Sequence, residues 1–193
     1  MDKRITVFCA SSTKSKEIYL EDARKLGNLI AENNDLLVYG GGRHGLMGAV
    51  SDGTLEKGGR VIGVIPEFMM SLEWGRDDIY SLELTDDMET RKLKMIDGSD
   101  AIVVLPGGSG TMEEFYQVLT MKRLGQYVNP VIVVNTNGFF NKWIEFMEVT
   151  VKENFLGRDH LKMYTVISDS TWLYSAIADS HIWSDEDINK ALV

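Results

Sequence analysis

Ala101-Ile102-Val103-Val104-Leu105-Pro106-Gly107-Gly108-Ser109-Gly110-Thr111-Met112-Glu113-Glu114 reads as a buried strand, a glycine turn and the start of a helix. The apolar run Ala101–Leu105 has strand length and no polar alternation, as expected of a parallel strand covered on both faces. The glycines remove side-chain bulk where the backbone can approach a ligand. A helix N-terminus beyond them presents N–H groups that attract phosphate. Two carboxylates follow. A plain phosphate cradle would avoid negative charge beside its anion, so Glu113 and Glu114 imply a second task next to it. The combination points to an enzyme acting on a small phosphorylated molecule. Thr111 through Glu114 also has capping-box spacing, which offers Glu114 a structural reading as a helix cap in the first turn.

The same alternation runs through the rest of the chain. Strands are expected at Ile5–Ala10, Leu36–Tyr39, Val61–Ile65, Val131–Asn135 and Tyr164–Ile167. Amphipathic segments lie between them at Lys16–Asn33, Met47–Lys57, Asp87–Asp97, Met112–Leu124 and Phe140–Asn154, with a short one near Thr171–Ala178 before an acidic tail. This is the signature of an α/β domain with a parallel sheet. With 193 residues, three prolines and no repeat or linker, one domain over 1–193 is the simplest account. The stretch from Pro66 to Thr85 breaks the alternation and reads as a long irregular loop carrying Glu73, Trp74 and Arg76.

Composition narrows the function classes. Asp and Glu outnumber Lys and Arg by 29 to 20, a formal charge of −9, and no basic stripe offers a surface to a nucleic acid polymer. One cysteine, Cys9, excludes an internal disulfide framework and fits a reducing compartment. No apolar run approaches the ~18 residues of a membrane span, so a cytoplasmic protein without membrane partners is expected. His44, His160 and His181 are scattered, and with Cys9 they form no metal-ligand spacing. No metal or organic cofactor is expected.

Ligands of parallel α/β sheets bind beyond the C-terminal strand ends. Three segments fall there and should converge: Ser11-Ser12-Thr13, Gly40-Gly41-Gly42-Arg43-His44-Gly45, and Gly107 through Thr111. Ser11, Gly41, Gly42, Arg43, His44 and Met88 are therefore candidate ligand neighbours. For the Gly40–Gly48 turn two readings stand: a ligand-facing loop, or a tight turn in which Gly45 and Gly48 allow close packing. A full dinucleotide site is disfavoured, because Val61–Ile65 runs into Pro66-Glu67 without the acidic residue in register. Arg91, in Met88-Glu89-Thr90-Arg91-Lys92, reads either as part of an exposed charged helix face or as a planar fork for phosphate or diol oxygens.

Taken together, the motifs resemble the LOG (Lonely Guy) family of cytokinin riboside 5′-monophosphate phosphoribohydrolases. They are Val7-Phe8-Cys9-Ala10-Ser11-Ser12, Tyr39-Gly40-Gly41-Gly42 with Gly45-Leu46-Met47-Gly48, Gly63-Val64-Ile65-Pro66, Met88 with Arg91-Lys92, Ser99-Asp100-Ala101, and Pro106 through Thr111 with Glu113-Glu114. Order and spacing hold from about residue 5 to 160. The resemblance implies a Rossmann-like, doubly wound, mainly parallel sheet with helices on both faces. It also implies a homodimer and hydrolysis of a nucleoside 5′-monophosphate to free base and ribose 5-phosphate. By position it implies Arg91 and Glu114 as the catalytic pair. Glu73, Arg91, Lys92, Gly107, Gly108, Ser109, Gly110, Thr111, Met112, Glu113 and Thr120 match substrate-binding positions. Two departures bear on the base: Met88-Glu89 where the family has Met-His, and Thr120-Met121-Lys122-Arg123-Leu124-Gly125 where many members have Thr-Trp-x-Gln-Leu-Gly. A lysine decarboxylase label, often attached to such proteins, has no chemical support here, since no motif is recognisable as a pyridoxal phosphate site. A nucleotide-sensing module without catalysis, and a nucleosidase for ordinary purine or pyrimidine monophosphates, are the competing readings.

Overall fold

The computed structural model describes residues 2–70, 75, 76 and 78–190. Its strands are β1 (Arg4–Phe8), β2 (Leu36–Tyr39), β3 (Arg60–Pro66), β4 (Ser81–Thr85), β5 (Ala101–Val104), β6 (Val131–Val134) and β7 (Thr165–Ile167). All pairings among them are parallel, in the order β4-β3-β2-β1-β5-β6-β7. Among the described residues the α-helices are α1 (Glu17–Glu32), α2 (Gly45–Glu56), α3 (Met88–Ile96), α4 (Ser109–Arg123), α5 (Asn141–Lys152), α6 (Leu173–Asp179) and α7 (Asp185–Lys190). Strand succession reverses between β1 and β5, so the switch-point crevice opens where Phe8 and Val104 end.

Period-two alternation along the strands sorts their side chains into two cores. Ile5, Val7, Leu37, Tyr39, Val61, Ala101 and Val103 pack under Leu26, Ile30, Leu46 and Val50 of α1 and α2. Phe8, Val38, Ile62, Val64, Ile102 and Val104 pack under Met95 and Ile96 of α3, Phe115 and Val118 of α4, and Trp143 and Met147 of α5. Helices therefore cover both faces, which explains why β5 and β6 read as unbroken apolar runs.

Two features depart from the sequence expectation. The stretch 66–85 is not irregular throughout: Ser81–Thr85 pairs with β3 from Ile62↔Ser81 to Pro66↔Thr85. Ser-Leu-Glu-Leu-Thr has only two apolar residues and lies on a sheet edge with Leu84 exposed, so it lacks the buried-strand signal. Helix α4 also starts at Ser109 rather than Met112, with Gly108 as its N-cap. Thr111 is then inside the helix, and Glu113 and Glu114 lie beyond the first turn, which carries no acidic residue. The capping-box reading of Glu114 is thereby overturned.

Candidate active site

A cleft of about 340 Å³ lies at the switch point, walled by Cys9–Ser12 after β1, Gly108–Thr111 at the start of α4, Met88 and Arg91 of α3, Glu114 of α4, and Met47 and Met69. That volume is at the lower end for a small-molecule pocket. The N-terminus of α4 borders it without a side-chain cap. The first N–H groups of a helix have no partner within it, so this end is suited to an anion. The glycines show what the end is open to. A Cβ built on Gly108 or on Gly110 meets no protein atom within 4 Å beyond its own stretch of chain. Neither residue has a positive φ, so neither packing nor backbone geometry among the described residues requires glycine there.

Arg91 is only 3% exposed, which corrects the exposed-helix expectation. Its Nε donates to the Val64 carbonyl at 3.0 Å and its Nη2 to the Gly40 carbonyl at 3.0 Å. Nη1 faces Met88 Sδ at 3.8 Å and lies 3.8 Å from Glu114 Oε1. The latter is an ion-pair distance and too long for a hydrogen bond. Asp87 sets the start of α3, its carboxylate capping the Thr90 N–H at 2.7 Å. Arg91 and Met95 share one face four residues apart, as do Lys92 and Ile96. That spacing beside buried apolar residues was the available signal that Arg91 points inward.

The Arg-Lys and Glu-Glu pairs meet across the two helices. Glu114, 4% exposed, faces Arg91, while Lys92, 6% exposed, bonds Glu113 at 2.6 Å and Glu89 at 2.8 Å. Burial works against the Lys92 ammonium, yet the two carboxylates hold its pKa above the usual value. Lys92 also draws down the Glu89 carboxyl, which accepts a bond from Gln117 at 2.9 Å. Glu113 is half-exposed outside the cleft lining.

The remaining sequence candidates divide. Ser11, Met88, Gly108, Ser109, Gly110 and Thr111 are brought into the cleft with Arg91 and Glu114. Gly107 borders an adjoining recess with Lys14 and Lys16. Met112 packs on the core beneath α4. Thr120 is exposed, its Oγ1 donating to the Tyr116 carbonyl at 2.9 Å. It stands roughly 16 Å along α4 from Ser109, outside the cleft. Glu73 and Trp74 lie outside the described residues.

The turn from β2 into α2 behaves differently from the turn into α4. The Leu46 and Met47 N–H groups both donate to the Ala10 carbonyl, at 2.9 and 3.2 Å. A Cβ on Gly45 would lie 2.6 Å from Ser11 C, and one on Gly48 2.3 Å from the Arg43 carbonyl oxygen. These two glycines serve packing. Arg43 and His44 face a separate recess, and Gly41 and Gly42 stay outside the cleft lining.

A doubly wound α/β sheet, an uncapped helix N-terminus at its switch point and a buried Arg–Glu pair define a Rossmann-like protein with a cleft suited to a small anionic ligand. A family model described as possible lysine decarboxylase matches residues 47–177. Cytokinin riboside 5′-monophosphate phosphoribohydrolase LOG3 of Arabidopsis thaliana is 41% identical over 154 residues, covering 80% of this chain and 72% of the relative. The LOG protein of Oryza sativa subsp. japonica is 38% identical over 157 residues, covering 81% and 65%. The chain belongs to the LOG family. The molybdenum cofactor carrier protein of Chlamydomonas reinhardtii is 22% identical and superposes with a TM-score of 0.70 over 93% of this chain and 98% of that one, which shows a shared fold.

Proposed function

We propose that the chain hydrolyses the N-glycosidic bond of a nucleoside 5′-monophosphate, either a cytokinin riboside 5′-monophosphate or an AMP-like nucleotide, releasing free base and ribose 5-phosphate. The observation that carries this reading is the open space beside Gly108 and Gly110, at a helix N-terminus that shares a cleft with Arg91 and Glu114. The phosphate would sit against the α4 amides, placing the sugar toward Glu114. Glycosidic cleavage develops positive charge on the sugar, which a buried carboxylate stabilises. Glu114 takes a proton from water as the water oxygen bonds C1′ and the C1′–N bond breaks. The departing base takes up a proton from solvent and Glu114 returns its own to solvent, so that one water is consumed overall. Arg91 stays charged throughout. Held by two carbonyls, it positions the substrate and balances Glu114 and phosphate rather than donating a proton.

The same reading takes the chain as one cytoplasmic domain over 1–193 that needs no cofactor. It pairs two copies through the outer side of α3 and α4. There a groove of about 800 Å³ includes Leu93, Met121 and Val128, and Leu93, Leu124 and Val128 are exposed. Among the described residues no helix is long and apolar enough to cross a membrane. The test is a panel of nucleoside 5′-monophosphates and their nucleosides, assayed for base and ribose 5-phosphate. Monophosphates should be cleaved far faster, because phosphate binding positions the sugar. Tight binding without base release would favour the sensing module. Equal rates on ordinary purine and pyrimidine monophosphates would favour a general nucleosidase.

A further inference from the structure

We propose that Arg76 is a positioning residue for Arg91, acting through two consecutive carbonyls of the β2–α2 turn. The inference rests on the hydrolase reading of the cleft. Arg76 is 8% exposed and is not among the residues lining the cleft. Its Nε and Nη2 form a fork on Asp78, at 2.7 and 3.1 Å. Its Nη1 donates to Ser51 Oγ at 2.9 Å and to the Asp52 carboxylate, both on α2. Ser51 in turn bonds the Met47 and Gly48 carbonyls, at 2.9 and 3.0 Å. The Arg76 backbone N–H donates to the Gly41 carbonyl at 3.2 Å. The preceding carbonyl, Gly40, accepts from Arg91 Nη2.

The two peptide units meet at the Gly41 Cα. A side chain that fixes residue 76 to α2, and with it the Gly41 carbonyl, therefore restricts the Gly41 dihedrals and so where the Gly40 carbonyl, the acceptor of Arg91, can point. Gly41 makes this coupling matter. Its φ of +79° leaves the turn without the steric restraint that a side chain would supply, so its orientation depends on such hydrogen bonds. The guanidinium fork suits the task because it meets Asp78 and α2 together, which a single ammonium cannot do.

The experiment compares Arg76→Ala, Arg76→Lys and Asp78→Asn with the parent by kinetics and by the 15N-resolved Nε–H signal of Arg91, assigned through Arg91→Lys. Arg76→Ala should lower kcat at least ~10-fold while KM changes less than about threefold, since a misoriented catalytic group impairs turnover rather than binding. Its Arg91 Nε–H should exchange with solvent at least ~10-fold faster than in the parent. Arg76→Lys should recover part of both. Asp78→Asn, which removes only a half-exposed carboxylate, should move both in the same direction by less, and it keeps the test decisive if Arg76→Ala does not fold. A loss confined to KM, or an unchanged Arg91 signal in the folded variants, overturns the proposal. If the parent releases no base from any monophosphate, the hydrolase reading fails, while the Arg91 signal still decides whether Arg76 holds it.

Discussion

The turn from β2 into α2 and the turn from β5 into α4 are both glycine-rich, follow buried strands, and open helices of 12 and 15 residues. In the first, protein atoms fill the space where a Cβ would go: the Arg43 carbonyl beside Gly48, the Ser11–Ser12 backbone beside Gly45, and Arg91 Nη2 2.2 Å from a Cβ on Gly40. In the second, a Cβ on Gly107 would crowd the Thr111 side chain, but one on Gly108 or Gly110 meets nothing within 4 Å beyond its own stretch of chain. Neither helix has a side-chain cap, but in α2 the Ala10 carbonyl takes the Leu46 and Met47 amides. One turn uses glycine for packing. The other uses it to leave room for something outside the protein, and the Arg–Glu pair stands beside that one.

The largest expected effect tests whether the open turn serves chemistry. Glu114→Gln keeps the shape of the side chain and loses the base, so turnover should fall at least ~100-fold while the variant stays folded. With the helix starting at Ser109, ordinary turnover in that variant would leave Glu114 as a buried partner of Arg91 and no more. Arg91→Lys comes next. The ammonium cannot reach the Val64 and Gly40 carbonyls in the fork geometry, so turnover should drop at least ~10-fold with some loss of stability. Near-normal rates would reduce the role of Arg91 to diffuse positive charge.

A pair of alanine variants probes the comparison directly. Gly110→Ala adds a methyl to open space in a helix, so melting should hold steady or rise by the equivalent of up to ~1 kcal/mol. The same methyl would intrude on bound phosphate, raising KM about tenfold, a cost near 1.4 kcal/mol in binding. Gly48→Ala should do the reverse, losing roughly 1–3 kcal/mol of stability from overpacking, with KM little changed in the protein that folds. Equal stability losses at both positions would erase the distinction between the turns.

The smallest effect lies at the far end of α4 and checks that its two ends are independent. Lys122 is 1% exposed, donates to the Val128 and Asn129 carbonyls at 3.2 and 2.5 Å, and is pushed down by burial to about 8. Above pH 8 the folded protein releases this proton while the unfolded chain keeps it to about 10.5. The contribution of Lys122 to stability therefore rises with pH across that window. Denaturant unfolding at pH 7.5 and 9.5 should show this slope in the parent and not in Lys122→Met. KM for the nucleotide should be the same in both proteins.

Much of this was legible from local pattern. The runs at Leu36–Tyr39 and Ala101–Val104 became strands because a residue buried on both faces has to be apolar, whatever its partners. The sequence also marked Gly108, Gly110 and the Glu113-Glu114 pair, since few physical reasons gather such residues at one strand end, while Arg91 stayed open on its residues and was singled out by the family resemblance. What it left open were questions of neighbours distant in the chain. Whether a glycine faces a carbonyl or empty space, whether Arg91 lies outside or beneath two strand ends, and whether Glu114 caps a helix all depend on elements brought together by the parallel crossovers. Period and spacing carry the burial pattern of a single element, because they repeat along it. They carry nothing about which backbone another element lays alongside, so the sequence by itself determined the buried strands and the residue types gathered at their ends, and only the tertiary structure decided the edge strand β4 and which glycine turn was open and which was closed.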